Sequence, residues 1–208
     1  MEIIKKALAG LLAALMLLGV CACGKRGNNA DPTPAPTKAP YTDPDAADEA
    51  RILELAAAFE RFGEIDPEEG VTVNGMEYMI YCWYCDKLVE CETADFGKVP
   101  FGEADKMVCS VFGSDDIKLV LRTKFDPTED QNYYALNDHY YVRIAEPEYE
   151  YRISKVEPLE NEDGAVVGTK ATVDALSGGE VIISIVMGLG RNSEGQYFVR
   201  SCSFFQNI

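Results

Sequence analysis

A chain of 208 residues with 35 acidic against 19 basic side chains carries a formal charge of -16 at pH 7. Such a field repels phosphate backbones and anionic headgroups, so nucleic-acid binding is not expected and charge alone cannot hold the chain to a membrane. The bland meaning of the acidity is solubility; a cationic partner is the sharper one. Asp126–Asp130 and Glu160–Gly164 lack the full spacing of a calcium loop.

The chain begins with Lys5 and Lys6 ahead of an apolar run from Ala7 to Val20, then Cys21-Ala-Cys-Gly24. A basic start, about a dozen apolar residues and small residues at a cut site make a secretory signal. The run is too short for a stable span, which needs roughly 20 apolar residues. Val20-Cys21-Ala22-Cys23 resembles the lipobox of bacterial lipoproteins, with Cys23 as the lipidated residue. The CACGK start followed by a Pro/Thr tract is similar to surface lipoproteins of Gram-positive bacteria. That likeness implies residues 1–22 as signal peptide and attachment to the cell membrane through an N-terminal lipid, on the extracytoplasmic side. Loss of 1–22 removes one acidic and two basic residues, leaving a charge near -17. From Cys23 to residue 44 the chain is a spacer carrying Pro32, Pro34, Pro36, Pro40 and Pro44. Recurrent proline favours polyproline II, about 3 Å per residue, and leaves no apolar face to bury.

Residues 45–208 suit one domain with a single core. Asp45 caps a predicted helix through Phe62, ended by Gly63, with Ile52, Leu55, Ala56, Phe59 and Phe62 on one stripe. Asn74 followed by Glu77 reads as a capping-box start for a second helix. Met76, Met79, Ile80 and Trp83 form its stripe, with Tyr78, Cys82, Cys85 and Val89 beside it. The aromatic run Tyr78–Tyr84 also suits a strand; cap and period favour the helix. Val99-Pro-Phe-Gly opens a third helix to Phe112, with Met107, Val108, Val111 and Phe112 apolar and Gly113 closing it. Ser114-Asp-Asp-Ile starts a short helix through Leu121.

The period then changes to two. Tyr140–Ala145, Tyr149–Glu157, Ala165–Ala175, Glu180–Leu189 and Gln196–Phe205 read as five strands. Turns fall at Glu160–Gly164, Ser177–Gly179 and Arg191–Gly195. Val181, Ile183, Ile185, Met187 and Leu189 share a face, as do Val167, Ala171, Val173 and Ala175. Ile183, Ile185, Val173 and Phe59 are expected in one core. Short connections imply an antiparallel meander, and the whole is an α+β fold. Helices followed by a curved antiparallel meander resemble the cystatin-like and NTF2-like superfamily in element order. That resemblance implies pockets that host binding or isomerisation and selects neither.

Candidate chemistry is sparse. With Cys23 lipidated, Cys82, Cys85, Cys91, Cys109 and Cys202 remain, an odd number. Cys82-Trp-Tyr-Cys85 places two sulfurs on one helix face, as a disulfide, a redox pair or buried apolar thiols. Its predicted position, well inside the helix with no cationic neighbour, favours a structural role. Zinc needs two more ligands, and no second CxxC is present. His139, the sole histidine, is the only side chain whose ordinary pKa suits proton transfer near neutrality. No Gly-x-Ser-x-Gly elbow accompanies it, and Gly188-Leu-Gly190 reads as the start of a turn. No cofactor and no metal is expected.

Tyr133, Tyr134, Tyr140, Tyr141, Tyr149 and Tyr151 crowd one stretch. Tyrosine joins a broad apolar body to a hydroxyl, the composition of binding surfaces and pocket mouths, although alternate strand positions packing on helices produce the same pattern. The expectation is a lipid-anchored, non-enzymatic surface domain that binds a protein, peptide or small ligand through these tyrosines. The alternative is an extracytoplasmic enzyme, thiol-based through Cys82 and Cys85 or acid–base through His139.

Overall fold

The computed structural model describes residues 41–91, 95–114, 119 and 122–206. The lipobox, most of the spacer and the short helix expected over Ser114–Leu121 lie outside the described residues.

Helix α1, Ala46–Phe62, starts on a capping box: the Asp45 carboxylate accepts from the Ala47 and Asp48 amides, and Asp48 reaches back to the Asp45 amide. Its stripe is the predicted one. Ile52, Leu55, Ala56 and Phe59 are buried, and half-buried Phe62 packs against the core. Helix α2, Val73–Tyr84, is a helix rather than a strand, but its cap differs from expectation. Thr72 is the N-cap, accepting from the Gly75 amide at 3.1 Å. Glu77, expected at the cap, is turned into the core instead. Val89, expected beside the stripe, is exposed. Helix α3, Phe101–Phe112, ends on Gly113 with φ 68°, a left-handed position where a side chain would be strained.

The fold is α+β as expected, its antiparallel meander present as a four-stranded sheet, and a second, three-stranded antiparallel sheet accompanies it. Strands β4 (Glu150–Glu160), β5 (Val166–Ser177), β6 (Glu180–Arg191) and β7 (Tyr197–Gln206) pair in consecutive order. They are the last four predicted strands, and bulges interrupt the register of every pair. Gly178 and Gly179, with φ 59° and 85°, close the β5–β6 hairpin. The first predicted strand lies elsewhere. β3 (His139–Arg143) is central in a three-stranded sheet between β1 (Phe96–Pro100) and β2 (Tyr133–Leu136). β1 and β2, five and four residues long, have no strand signal in the sequence pattern. Gly188 and Gly190 sit inside β6 rather than at a turn, where a Cβ at either would run into Ser201 or Phe198 on β7.

One face of the large sheet packs on α1. Phe59, Val173 and Ile185 share the core with Ala171, Met187 and Leu189, and Ile183 packs against it. Val167, expected on that face, is exposed at the strand end. The small sheet buries Val99, Tyr140 and Val142 toward the helices. No described helix is long and apolar enough to cross a membrane.

Candidate functional site

The six tyrosines do not share one surface. Side chains alternate across a strand, and the register Tyr133–Val142, Tyr134–Tyr141 and Ala135–Tyr140 sorts them. Tyr133 and Tyr140 face inward. Tyr134 and Tyr141 face outward and stack with ring centroids 5.0 Å apart and planes 2° from parallel. Phe125 approaches Tyr134 at 4.8 Å and Phe96 approaches it from β1 at 5.4 Å. The outer face of the small sheet is therefore a platform of four rings. Tyr134 is the covered centre at 5 % exposure, while Phe125 at 56 % and Leu136 at 46 % stand at its margin. Lys98 and Arg143 lie on the same face, Arg143 over the Phe96 ring and paired with Asp130. Tyr149 and Tyr151 belong to neither group. Tyr149 hydrogen-bonds Glu148 at 3.2 Å, and Tyr151, on β4, packs against the core.

Beneath the platform runs a polar chain that sequence reasoning missed. Tyr140 is fully buried and its hydroxyl donates to Glu77 Oε1 at 2.9 Å. The same carboxylate accepts from the Thr123 amide and hydroxyl, at 2.9 and 2.8 Å. Arg122 donates to the Tyr140 oxygen at 3.0 Å and forks onto both oxygens of Asp105, at 3.2 and 3.0 Å. Arg122 also lies over the Phe101 ring at 3.9 Å. Burial, then the Glu77 charge, pushes the Tyr140 phenol far up, so it stays protonated and acts as a fixed donor. The one available signal was Glu77 itself, a carboxylate on an apolar helix face.

His139 also sits on β3. Its Nδ1–H donates to the Asn137 carbonyl at 2.9 Å rather than to a carboxylate. Among the described residues no group of three or more His, Cys, Asp or Glu is placed to hold a metal.

Cys82 and Cys85 are free and buried, at the C-terminal end of α2 rather than in its middle. The expectation of no cationic neighbour fails: Arg61 reaches over from α1, 3.0 Å from Asp86 Oδ2 and 3.5 Å from the Cys82 carbonyl. Even so, burial pushes the Cys82 thiol up to about 12, and the nearby Cys85 adds to it. The Cys85 thiol is also raised, by burial first, against the pull of Arg61. Thiols protonated this firmly are poor nucleophiles at neutral pH. Nearby, Asp86 Oδ1 and the Tyr151 hydroxyl are buried without a hydrogen-bond partner.

No family model matches this sequence, no curated protein matches it, and no solved structure matches its fold.

Proposed function

We propose that this chain is a lipid-anchored extracytoplasmic domain, non-enzymatic, that docks a partner protein or peptide through the outer face of the β1–β3–β2 sheet. The carrying observation is the ring platform of Phe96, Phe125, Tyr134 and Tyr141, which leaves Phe125 and Leu136 standing in solvent on a strongly acidic chain. A contiguous aromatic face rimmed by charged groups is the composition of protein interfaces, where buried aromatic anchors carry most of the affinity. The Glu77–Tyr140–Arg122 chain beneath it holds β3 rigid, which lowers the ordering cost of binding. Val20–Cys23 supports the anchor, and the order of helices then meander supports kinship with the cystatin-like and NTF2-like superfamily, to which the small sheet would be an addition. Against the thiol-enzyme alternative stand the raised Cys82 and Cys85 thiols. Against the acid–base alternative stands the backbone partner of His139.

The test is capture of partners by the full-length protein from detergent-solubilised native envelopes. Phe125→Ser with Tyr141→Ala should lose the captured partner while keeping the melting temperature within a few degrees. An unchanged set of captured proteins would refute the docking face. Separately, Cys23→Ser should release the protein from membranes or leave its precursor uncut. A Cys23→Ser protein still matured at Ala22 and still membrane-bound would refute the anchor.

A further inference from the structure

Where β5 begins and β6 ends, the large sheet carries a cleft of about 360 Å3, with Tyr41 and Thr42 in its wall. That volume suits a small ligand or a headgroup. Its charge sets it apart. Two other cavities are lined by carboxylates: Glu103, Asp105 and Glu194 against Lys106 in one, and Glu64, Asp66 and Glu69 with no cation in the other. This cleft is lined by Arg191 and Arg200, and its wall holds no carboxylate or amide side chain. On a chain of charge -16 that local sign is an exception.

The two guanidiniums are not equivalent. Arg191 is answered, since it forks onto Asp48 at 3.0 and 2.7 Å and lies over the Tyr197 ring. Arg200, exposed on β7, donates from Nη1 to the Val167 carbonyl at 3.0 Å and lies over the Phe198 ring. Neither partner is a carboxylate, so its charge is not neutralised within the described residues. A Cβ at Gly190 would come within 2.6 Å of Arg200 Nε, so the glycine lets this guanidinium lie across the end of β6.

Hydroxyl protons are left over beside it. The Tyr41 hydroxyl is buried without a hydrogen-bond partner. Burial first, then the neighbouring Tyr197, Asp43 and Glu157, raise its pKa, so at neutral pH it is a donor. Those two carboxylates are engaged elsewhere. Asp43 is exposed to water, and Glu157 is paired with Lys155 and Lys170 at 2.7 and 3.3 Å. Thr169 and Tyr197 are buried, and their hydroxyls lie 3.1 Å apart. One donates to the other, and the second keeps its proton for a further acceptor.

We infer that this cleft binds a small oxyanion, a phosphate or a carboxylate group, held by the Arg200 guanidinium and the Tyr41 hydroxyl. Such groups present acceptor oxygens to a wall that offers guanidinium and hydroxyl donors in excess. A cation would meet two guanidiniums. An apolar ligand would leave the buried hydroxyls unpaired, at a desolvation cost. A neutral polyol would find no carboxylate or amide to take its protons.

Calorimetric titration of the full-length protein, in non-ionic detergent at low salt, tests this. Inorganic phosphate and glycerol 3-phosphate probe for phosphate, and acetate and N-acetylalanine for carboxylate. All are kept at low millimolar concentration, where the general stabilising effect of phosphate on proteins is small. Spermidine and glucose are the controls. Saturable binding of at least one oxyanion is expected, and the pair of probes that binds tells phosphate from carboxylate. Arg200→Gln should weaken it about tenfold or more and Tyr41→Phe about threefold or more, with the melting temperature of the ligand-free protein unchanged within a few degrees. Asp48→Asn, which releases Arg191 from its carboxylate, should tighten it severalfold. A merely structural role would not move affinity in opposite directions. Arg143→Gln, on the small sheet, should leave it unchanged. No saturable heat with any oxyanion overturns the inference, as does saturation by spermidine or glucose alone. Oxyanion affinity unchanged in both Arg200→Gln and Tyr41→Phe overturns the site. None of these results touches the docking reading, which depends on the small sheet.

Discussion

In the large sheet, β5 and β6 send every second side chain under α1, while the opposite face is settled with polar groups. There Asp174 is nearly buried, accepting from Ser184 and Ser154 hydroxyls at 2.9 and 3.2 Å, with Arg152 at 3.4 Å. In the small sheet the inward face is aromatic and polar, and the outward face is aromatic and open. Most of the large sheet's surface is thus satisfied within the chain, with Phe205 and Ile182 left exposed on its strands. The small sheet leaves one face unfinished, and an unfinished apolar face on a soluble surface is where a partner gains most from removing water. Tyr140 and Tyr141, adjacent on β3, fall on opposite sides of that division.

The largest effect should therefore come from Tyr140. Tyr140→Ala removes a fully buried ring, takes one donor from the Glu77 carboxylate and one acceptor from Arg122, and should cost about 3–5 kcal/mol. Tyr141→Ala should cost about 1 kcal/mol, since its stacking partner Tyr134 stays covered by Phe96 and Phe125. Urea unfolding of both variants decides it. Equal costs would erase the distinction between the two faces.

Glu77→Ala should follow. It leaves the Thr123 amide, the Thr123 hydroxyl and the Tyr140 hydroxyl without their acceptor, at about 3 kcal/mol. Tyr140→Phe removes the hydroxyl's two bonds, to Glu77 and from Arg122, and keeps the packing, so about 1–2 kcal/mol is expected. Because the groups act as one network, the double variant should cost less than the sum of the singles. Additive costs by denaturant titration would mean that Glu77 and Tyr140 act independently.

Alkaline pH probes one buried thiol beside each sheet. Burial pushes Cys82, on the helix beneath the small sheet, and Cys202, in β7, each up to about 12 from an ordinary 9.0. The folded state holds these protons more tightly than the unfolded chain. The resulting stability is present below about pH 9 and is lost as pH rises toward 12, at about 1.4 kcal/mol per pH unit and thiol. Circular dichroism against pH should show a shallower alkaline loss in Cys82→Ala and in Cys202→Ala. A slope unchanged in both would mean that neither thiol stays protonated through folding.

Long periodic segments were legible because a helix stripe or a strand alternation repeats over ten residues or more. Asp45 to Gly63, Phe101 to Gly113 and the four long strands all fall where the sequence places them, within a few residues. The short strands were not. β2 has four residues, and its turn into β3 uses Asn137 and Asp138 at φ 50° and 61°, without the glycine that marks such hairpins. β1 ends at Pro100, which also caps α3, so the signal of the helix start masked the strand. Tyrosine crowding drew attention to β2 and β3 and could not say which rings face out, because that depends on the register of the β2–β3 pair, which the pattern does not reveal.

The smallest expected effect tests how each sheet is latched to its helix. The small sheet is tied to α3 by Arg122 and Asp105, about a quarter exposed, while the large sheet is tied to the start of α1 by Arg191 on Asp48, at 3.0 and 2.7 Å, with Arg191 43 % exposed. A hydrogen bond from Arg191 holds the Asp48 carboxyl below its ordinary value, against a smaller opposing cost of burial. A carboxyl depressed in the folded state lends its stability above the unfolded pKa near 4 and loses it as pH falls through the folded value. Water and salt screen a latch this open, so Asp48→Asn should cost under about 1 kcal/mol at pH 7. The difference from the parent protein should shrink as pH falls below about 4 and the parent's carboxyl takes up its proton, and also in 1 M salt. Asp105→Asn, whose partner is forked and stacked on Phe101, should cost more and resist salt better. If thermal melts show the two asparagine variants equally weakened and equally salt-sensitive, the small sheet is no more firmly seated than the large one, and the rigidity assigned to the docking face loses its support.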